Sequence, residues 1–384
     1  MTLDLFVVCA PGLEALAAAE LRALGLEGRP VHGGVELQGT LETAARLNLW
    51  LRTASRVLVR LGAVKATSFP ELIKRARTLP FELCLRRDKG APPVALRVTC
   101  RKSRLYHSDA VAERLHAAIE ARLGGPVAQA QPPSDDDGDE PQLQPQMIVA
   151  RFERDLCTVS ADASGPLLHR RGYRGQGGKA PLRETLAAAL LLATGWRGRP
   201  EDGPFFDPLC GSGTIPIEAA SLARRRAPGL HRTFALQRWP AFAAPAWQRL
   251  IAEAKAGELP ASPVAIAGSD QDAGAITIAN ANAEAAGCAA DVRFEQRPLS
   301  LAEPPPGPGQ MVANAPYGVR VGANADLGRL FRDLGDLARG KLRGWRLAVL
   351  VGDRNITSPS RLTWQRTLAF ENGGIKVELL AARA

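Results

Sequence analysis

Apolar stretches of two different periods alternate along the chain. Leu5 to Cys9 is a β-type run closed by Pro11-Gly12, and Leu13 to Leu24 repeats its apolar positions at helical spacing, with Glu14 and Glu20 on the polar side. Val31 to Leu37 reads as a strand. Thr40 has the side chain of an N-cap for a helix through Trp50, and Arg56 to Val64 is another strand. These elements predict a small α+β unit over residues 1–62. A second unit is predicted over 63–165, with helices at Phe69 to Leu79 and Asp109 to Leu123 and the strand Val94 to Cys100. It ends in a hairpin, Met147 to Phe152 and Leu156 to Ser160, turning at Glu153-Arg154-Asp155. The acid- and proline-rich stretch 131–141 cannot bury apolar surface and reads as a loop.

From residue 166 to 384 the rhythm is strand then helix, repeated. The helix Pro181 to Thr194 precedes a strand at Phe205-Phe206 and a helix from Thr214. Val264 to Gly268 leads into Ala273 to Ala286. Val292 to Glu295, Met311 to Ala313 and Arg346 to Val351 are strands, and Leu327 to Arg339 is a helix. Such alternation predicts a mostly parallel, doubly wound α/β sheet. Two last strands, near 363–370 and 375–381, leave no room for a helix between them and should form an antiparallel edge hairpin.

Composition narrows the class. The 384 residues are 46% hydrophobic, enough for two or three packed domains. Lys plus Arg is 49 against 39 acids, a net +10 that favours a polyanionic partner, although a general preference for arginine gives the same number. The six cysteines stand apart, with no pair at metal-ligand spacing, so no metal is expected. The first ten residues carry Asp4 and no basic leader, and the apolar run Leu186 to Ala193 is too short for a bilayer. A soluble, cytoplasmic monomer with no membrane partner is the expectation.

Candidate chemistry sits where predicted strands end. Asp207-Pro208-Leu209-Cys210-Gly211-Ser212-Gly213-Thr214 lies between a strand and a helix, where glycines let backbone approach a ligand and the helix N-terminus attracts an anion. It has neither the lysine of a phosphate-binding loop nor the spacing of the dinucleotide fingerprint, so a methionine carboxylate suits it better than a triphosphate. Gly268-Ser269-Asp270-Gln271-Asp272 ends the next strand. Asp270 is placed to accept from ribose hydroxyls, with Gln271 beside it, while Asp272 suits the cap of the following helix. In Asn314-Ala315-Pro316-Tyr317, the Asn314 side-chain carbonyl and the Ala315 backbone carbonyl can both accept from an –NH2 group. Pro316 fixes the turn, and Tyr317 offers a face to an unstacked base.

Asp207 to Gly213, Asp270, and Asn314 to Tyr317 resemble motifs I, II and IV of the class I amino-methyltransferases. His169-Arg170-Arg171-Gly172-Tyr173-Arg174, with Ala180-Pro181-Leu182-Arg183-Glu184, is similar to the lead-in of a narrower group, the THUMP-domain RNA guanine-N2 methyltransferases. The resemblance covers nearly the whole chain; it is specific in the last 215 residues and architectural before them. It implies a Rossmann-like methyltransferase domain with a seven-stranded sheet, preceded by ferredoxin-like and THUMP units. It also implies S-adenosylmethionine as cofactor and RNA as substrate, in rRNA or a pre-ribosomal particle before tRNA. Arg170, Arg171, Tyr173, Arg174 and Lys179 form one candidate RNA patch; Arg101 and Lys102, with Arg104, Tyr106 and His107, form a second. Two departures stand out. Ala315 replaces the family's proline, predicting a looser turn, and Arg297 stands where an acid commonly meets the adenine amine, with Glu295 or Gln296 as substitutes. The alternatives are a tRNA guanine-N2 enzyme, a catalytically silent RNA-binding assembly protein, and an adenine-N6 DNA methyltransferase.

Overall fold

The computed structural model describes residues 1–88, 90–133, 144–174, 182–317 and 327–384. Lys179, Ala180 and Pro181, and most of the acidic stretch, lie outside the described residues.

The first half is built from β1 (Leu3–Cys9), α1 (Glu14–Ala23), β2 (Arg29–Val31), β3 (Gly34–Gly39), α2 (Leu41–Trp50), β4 (Ala54–Lys65), α3 (Phe69–Ala76), β5 (Val94–Arg101), α4 (Ser108–Leu123), β6 (Gln129–Ala130), β7 (Gln146–Glu153) and β8 (Leu156–Asp162). Its strands form one eight-stranded sheet, β2-β3-β1-β4-β8-β7-β5-β6. The boundary expected at 62/63 falls inside β4, which pairs with β1 on one edge and β8 on the other. The single strand expected at Val31 to Leu37 is a hairpin, folded back at His32-Gly33, with β2 and β3 antiparallel. Thr40 caps α2 as its side chain predicts, accepting from the Thr43 N–H at 3.1 Å.

The second half runs α5 (Glu184–Ala193), β9 (Phe205–Asp207), α6 (Thr214–Ala223), α7 (Ala244–Gly257), β10 (Ile266–Asp270), α8 (Ala273–Ala285), β11 (Val292–Gln296), β12 (Gln310–Asn314), α9 (Leu327–Arg339), β13 (Arg346–Val351), β14 (Gln365–Asn372) and β15 (Ile375–Arg383). The seven-stranded sheet has the order β11-β10-β9-β12-β13-β15-β14, with β9 to β13 parallel and the final hairpin antiparallel. β9 therefore lies where the winding direction reverses, the place where such sheets bind ligands. β10 starts two residues later than expected and runs on through Asp270, which faces Gln296 in register.

The halves are joined by buried polar contacts. Arg52, after α2, donates to the Ser221 and Arg226 carbonyls at 3.3 and 2.6 Å, and lies 4.0 Å from the buried Glu218 of α6. The Gly229 N–H donates to the Leu49 carbonyl at 2.9 Å. Gly12 packs so tightly on β14 that a Cβ there would meet the Ala369 carbonyl oxygen at 2.2 Å. A cavity of about 520 Å³ opens at this junction among Trp50, Arg52, Leu192, Arg197, Leu222 and Leu259, at the far end of α6 from the glycine loop. Among the described residues no helix is long and apolar enough to cross a membrane.

Candidate active site

The three sequence motifs converge at the carboxyl ends of neighbouring strands. β9 delivers Asp207, β10 delivers Ser269 and Asp270, and β12 delivers Asn314. Gly211 and Gly213 adopt left-handed φ values of 51° and 81°, turning the chain from β9 into α6. A Cβ on Gly213 would meet the Phe294 ring at 2.8 Å, so that position is closed to side chains, whereas Gly211 faces open space. Pro208 is buried at the strand end and Leu209 packs on the core. No side chain caps α6, whose first-turn amides have no acceptor within the helix.

The loop is held by its neighbours. Asp270 accepts from the Gly211 N–H and from the Asp272 N–H, each at 3.0 Å, tying the ends of β9 and β10 together. Asp272 caps α8, accepting from Gly274 and Ala275 at 2.7 and 3.2 Å, as expected. Asn282 of α8 donates to the Ser212 carbonyl at 3.0 Å. The sequence reading missed Asn282, although a polar residue among Ile276, Ala279 and Ala283 on one buried helix face was a usable signal. Gln271 is exposed and its carbonyl accepts from Gln296 at 3.3 Å.

Buried polar atoms normally find partners. Among the described residues, Asp207 Oδ2, Ser269 Oγ and Asn314 Oδ1 are buried with none. All three belong to strand ends around the switch point, and together they fit a polar ligand and an amine donor. Asp207 is 1% exposed; burial, with Asp270 nearby, pushes its carboxyl well above the usual carboxylate range. Its other oxygen accepts from the Leu209 N–H at 3.0 Å.

The turn after β12 is tighter than Ala315 suggested. Ala315 is fully buried and its N–H donates to the Leu350 carbonyl at 3.2 Å, a bond that a proline at this position cannot make. Pro316 is half-buried. Tyr317 is buried, its ring against Gly352, and its hydroxyl accepts from Asn372 of β14 at 2.7 Å. Arg297 is turned to Glu295 at 2.7 Å, and Glu295 also pairs with Arg293, so this carboxylate is already engaged.

The lead-in segment divides. Arg171 and Tyr173, expected to meet RNA, are buried: Arg171 donates to the Leu168 and Arg52 carbonyls at 2.6 and 2.7 Å, and the Tyr173 hydroxyl donates to Glu218 at 3.3 Å. Two arginines and a tyrosine around one buried carboxylate form an internal joint. Arg174 donates to Thr214 Oγ1 and to the Leu182 carbonyl, both at 2.9 Å, and stands 3.5 Å from the buried Glu184. It therefore braces the start of α6. Burial, together with Arg183, Arg170, Arg171 and Arg174, pulls His169 down to about 3, leaving it neutral. Arg170 is half-buried. Arg101 and Lys102 are exposed.

Residues 171–380 match the family described as the RMKL-like methyltransferase domain, and residues 4–58 match the RlmL ferredoxin-like domain. A Synechocystis sp. chain, slr0064, provisionally named an RNA methyltransferase, is 34% identical over 98% of this chain and 95% of its own length. A ribosomal RNA large subunit methyltransferase K/L from Syntrophotalea carbinolica is 37% identical over 98% of this chain; the chain spans about half of that relative, 53%. Among solved structures, the SMU.472 protein, provisionally named a methyltransferase and complexed with SAH, superimposes with a TM-score of 0.87 at 29% identity, covering 100% of this chain and 98% of its own.

Proposed function

The chain belongs to the RMKL-like methyltransferase family, and on that premise we propose that it methylates an exocyclic base amine of RNA from S-adenosylmethionine, with guanine N2 of large-subunit ribosomal RNA as the target. The observation that carries this is the buried, partnerless Asn314 Oδ1 at the end of β12, two strands from Asp270 and one from the glycine loop.

Bound S-adenosylmethionine supplies an electrophilic methyl group on a sulfonium. The residues suited to hold it are Asp207 to Thr214 for its methionine end and Asp270, with Gln271, for its ribose. Asn314 Oδ1 and the Ala315 carbonyl accept the two N–H groups of the target amine, which leaves its lone pair aimed across the strand ends. Pro316 and the Ala315–Leu350 hydrogen bond hold those acceptors in one direction. A general base is unnecessary, because the amine proton becomes acidic only after transfer and can leave to water.

We assign the eight-stranded half, including a THUMP-type unit over 63–165, to binding structured RNA. The Ala315 backbone bond supports an active enzyme over a silent binding protein, since the departure from the family pattern comes with its own anchor. Incorporation of labelled methyl into rRNA, tRNA and DNA offered side by side tests the reading. Label in large-subunit rRNA is expected; label in DNA alone would move the assignment to adenine N6.

A further inference from the structure

Three observations meet at one corner of the eight-stranded sheet, away from the strand ends that carry the motifs. The first is an exposed aromatic pair. Tyr106 is 67% exposed, and its ring lies 4.1 Å from that of His107, centroid to centroid. Among the described residues Tyr106 is the one ring among the exposed large hydrophobic side chains, whereas the rings of Phe81, Phe152, Phe205, Phe206 and Phe331 are fully buried.

The second is charge without partners. Arg101, Lys102, Arg104 and Arg154 are all exposed. Among the described residues none of them has an ion-pair partner. Arg22, Arg77, Arg225 and Arg343 are likewise exposed without an ion pair among the described residues, but singly, whereas these four cations gather at the end of β5, on the loop after it and in the turn between β7 and β8. The acids at the corner are largely occupied. Asp155 accepts from the Arg104 N–H at 2.7 Å, and Glu153 pairs with Arg151 at 3.1 Å. Asp109, in the first turn of α4, leaves the corner net positive.

The third is a fastened backbone. Lys102, Arg154 and Asp155 have left-handed φ values of 48°, 51° and 63°, three of five such non-glycine residues among those described. Arg154 and Asp155 form the two-residue turn of the β7–β8 hairpin, where Glu153 pairs with Leu156 and positive φ at both positions is the favoured geometry. Asp155 N–H donates to Ser103 Oγ at 3.1 Å, Arg154 N–H to the Arg101 carbonyl at 3.3 Å, and Ala66 N–H to the Asp155 carbonyl at 2.9 Å. The first two bonds clamp the loop after β5 to the turn between β7 and β8, and the third ties that turn to the end of β4. Beside them, α4 begins with no side-chain cap, so its first amides add a positive end to the same corner.

We propose that this corner is a stacking platform for an unpaired nucleotide in a single-stranded segment of RNA, an inference that rests on the reading of the chain as an RNA-modifying enzyme. Tyr106 and His107 take the base on their faces, and Arg101, Lys102, Arg104 and Arg154 take the phosphates on either side. Flat aromatic faces among unpaired cations are the chemistry that single strands select, because every base has a π-face and the backbone is uniformly charged. A blunt duplex keeps its bases stacked internally and can use only the cations.

Fluorescence anisotropy at fixed salt, with the full chain and a short labelled poly(A) RNA, tests this directly. The same strand annealed into a blunt duplex serves as the second probe. The parent should bind the single strand more tightly than the duplex. Tyr106→Ala should weaken the single strand by about tenfold, within the range that one stacked base contributes, and leave the duplex within about twofold. Tyr106→Phe should keep the parent's affinity for both. Equal binding of the single strand by parent and Tyr106→Ala overturns the platform, as does equal weakening for both probes, or absence of RNA binding by the parent. Methyl transfer to rRNA, run beside it, separates the two readings. Transfer without dependence of strand binding on Tyr106 removes the platform alone. Dependence on Tyr106 without any transfer removes the activity alone.

Discussion

Asn372, at the tip of the C-terminal hairpin, donates its side-chain amide to the Tyr317 hydroxyl at 2.7 Å. Tyr317 follows the amine-presenting turn, and β14 in turn rests against Gly12 of the N-terminal half. The hairpin thus braces the turn from outside the motif. Asn372→Ala should lower kcat about fivefold, the worth of one ordinary hydrogen bond, and leave S-adenosylmethionine affinity unchanged. Steady-state kinetics together with calorimetry checks this; a loss of cofactor affinity instead would show that the bond supports a different part of the site.

Gly213 allows no side chain. Its left-handed φ and the Phe294 ring at 2.8 Å from any Cβ act together. Gly213→Ala should cost about 1 kcal/mol from the backbone conformation alone, and displacement of Phe294 adds to that. Cofactor affinity should fall at least tenfold by calorimetry, with the circular dichroism spectrum retained. Unchanged affinity would mean that the loop does not hold the cofactor.

Glu218 neutralises two arginines from different parts of the chain, Arg52 at 4.0 Å and Arg171 at 3.6 Å. Removing it leaves both charges buried, a change that costs about 3–5 kcal/mol in comparable settings. Urea unfolding of Glu218→Ala should show that loss. A variant as stable as the parent would mean that water reaches the joint.

Glu184 is 2% exposed, and burial raises it from 4.5 to about 7 against the opposing pull of Arg174. A carboxyl raised on folding contributes its stability fully below its ordinary value and loses it as the pH rises through about 7. Glu184→Gln lacks this dependence. Melting temperatures measured from pH 5 to pH 8 should therefore show the variant gaining on the parent as the pH rises from 5 to about 7, and the difference levelling off above that. Parallel curves would contradict the shift.

Much of the second half was legible because each strand end carried its own punctuation: Asp-Pro before the glycines, Asp272 as a cap, and Asn-Ala-Pro-Tyr after an apolar triplet. Helix α7 was not read, although its buried Ala246, Leu250 and Ala254 recur at helical spacing, because Pro245 at its start reads equally as a loop. The lead-in misled for a different reason. Arg171 and Tyr173 look the same in sequence whether they face a phosphate or a buried carboxylate, and Glu218 lies 45 or more residues away. The bound between the two N-terminal units, expected at 62/63, was hard to read because β4 runs across it and pairs on both edges, which no local pattern announces.

The central claim is that Asn314 presents a guanine amine of large-subunit rRNA for methylation. Nucleoside mass spectrometry of rRNA from a deletion strain, complemented with the parent chain or with Asn314→Ala, tests it most directly. The account predicts N2-methylguanosine lost on deletion, restored by the parent and not restored by Asn314→Ala. Restoration by Asn314→Ala, or an rRNA profile unchanged by the deletion, would contradict it.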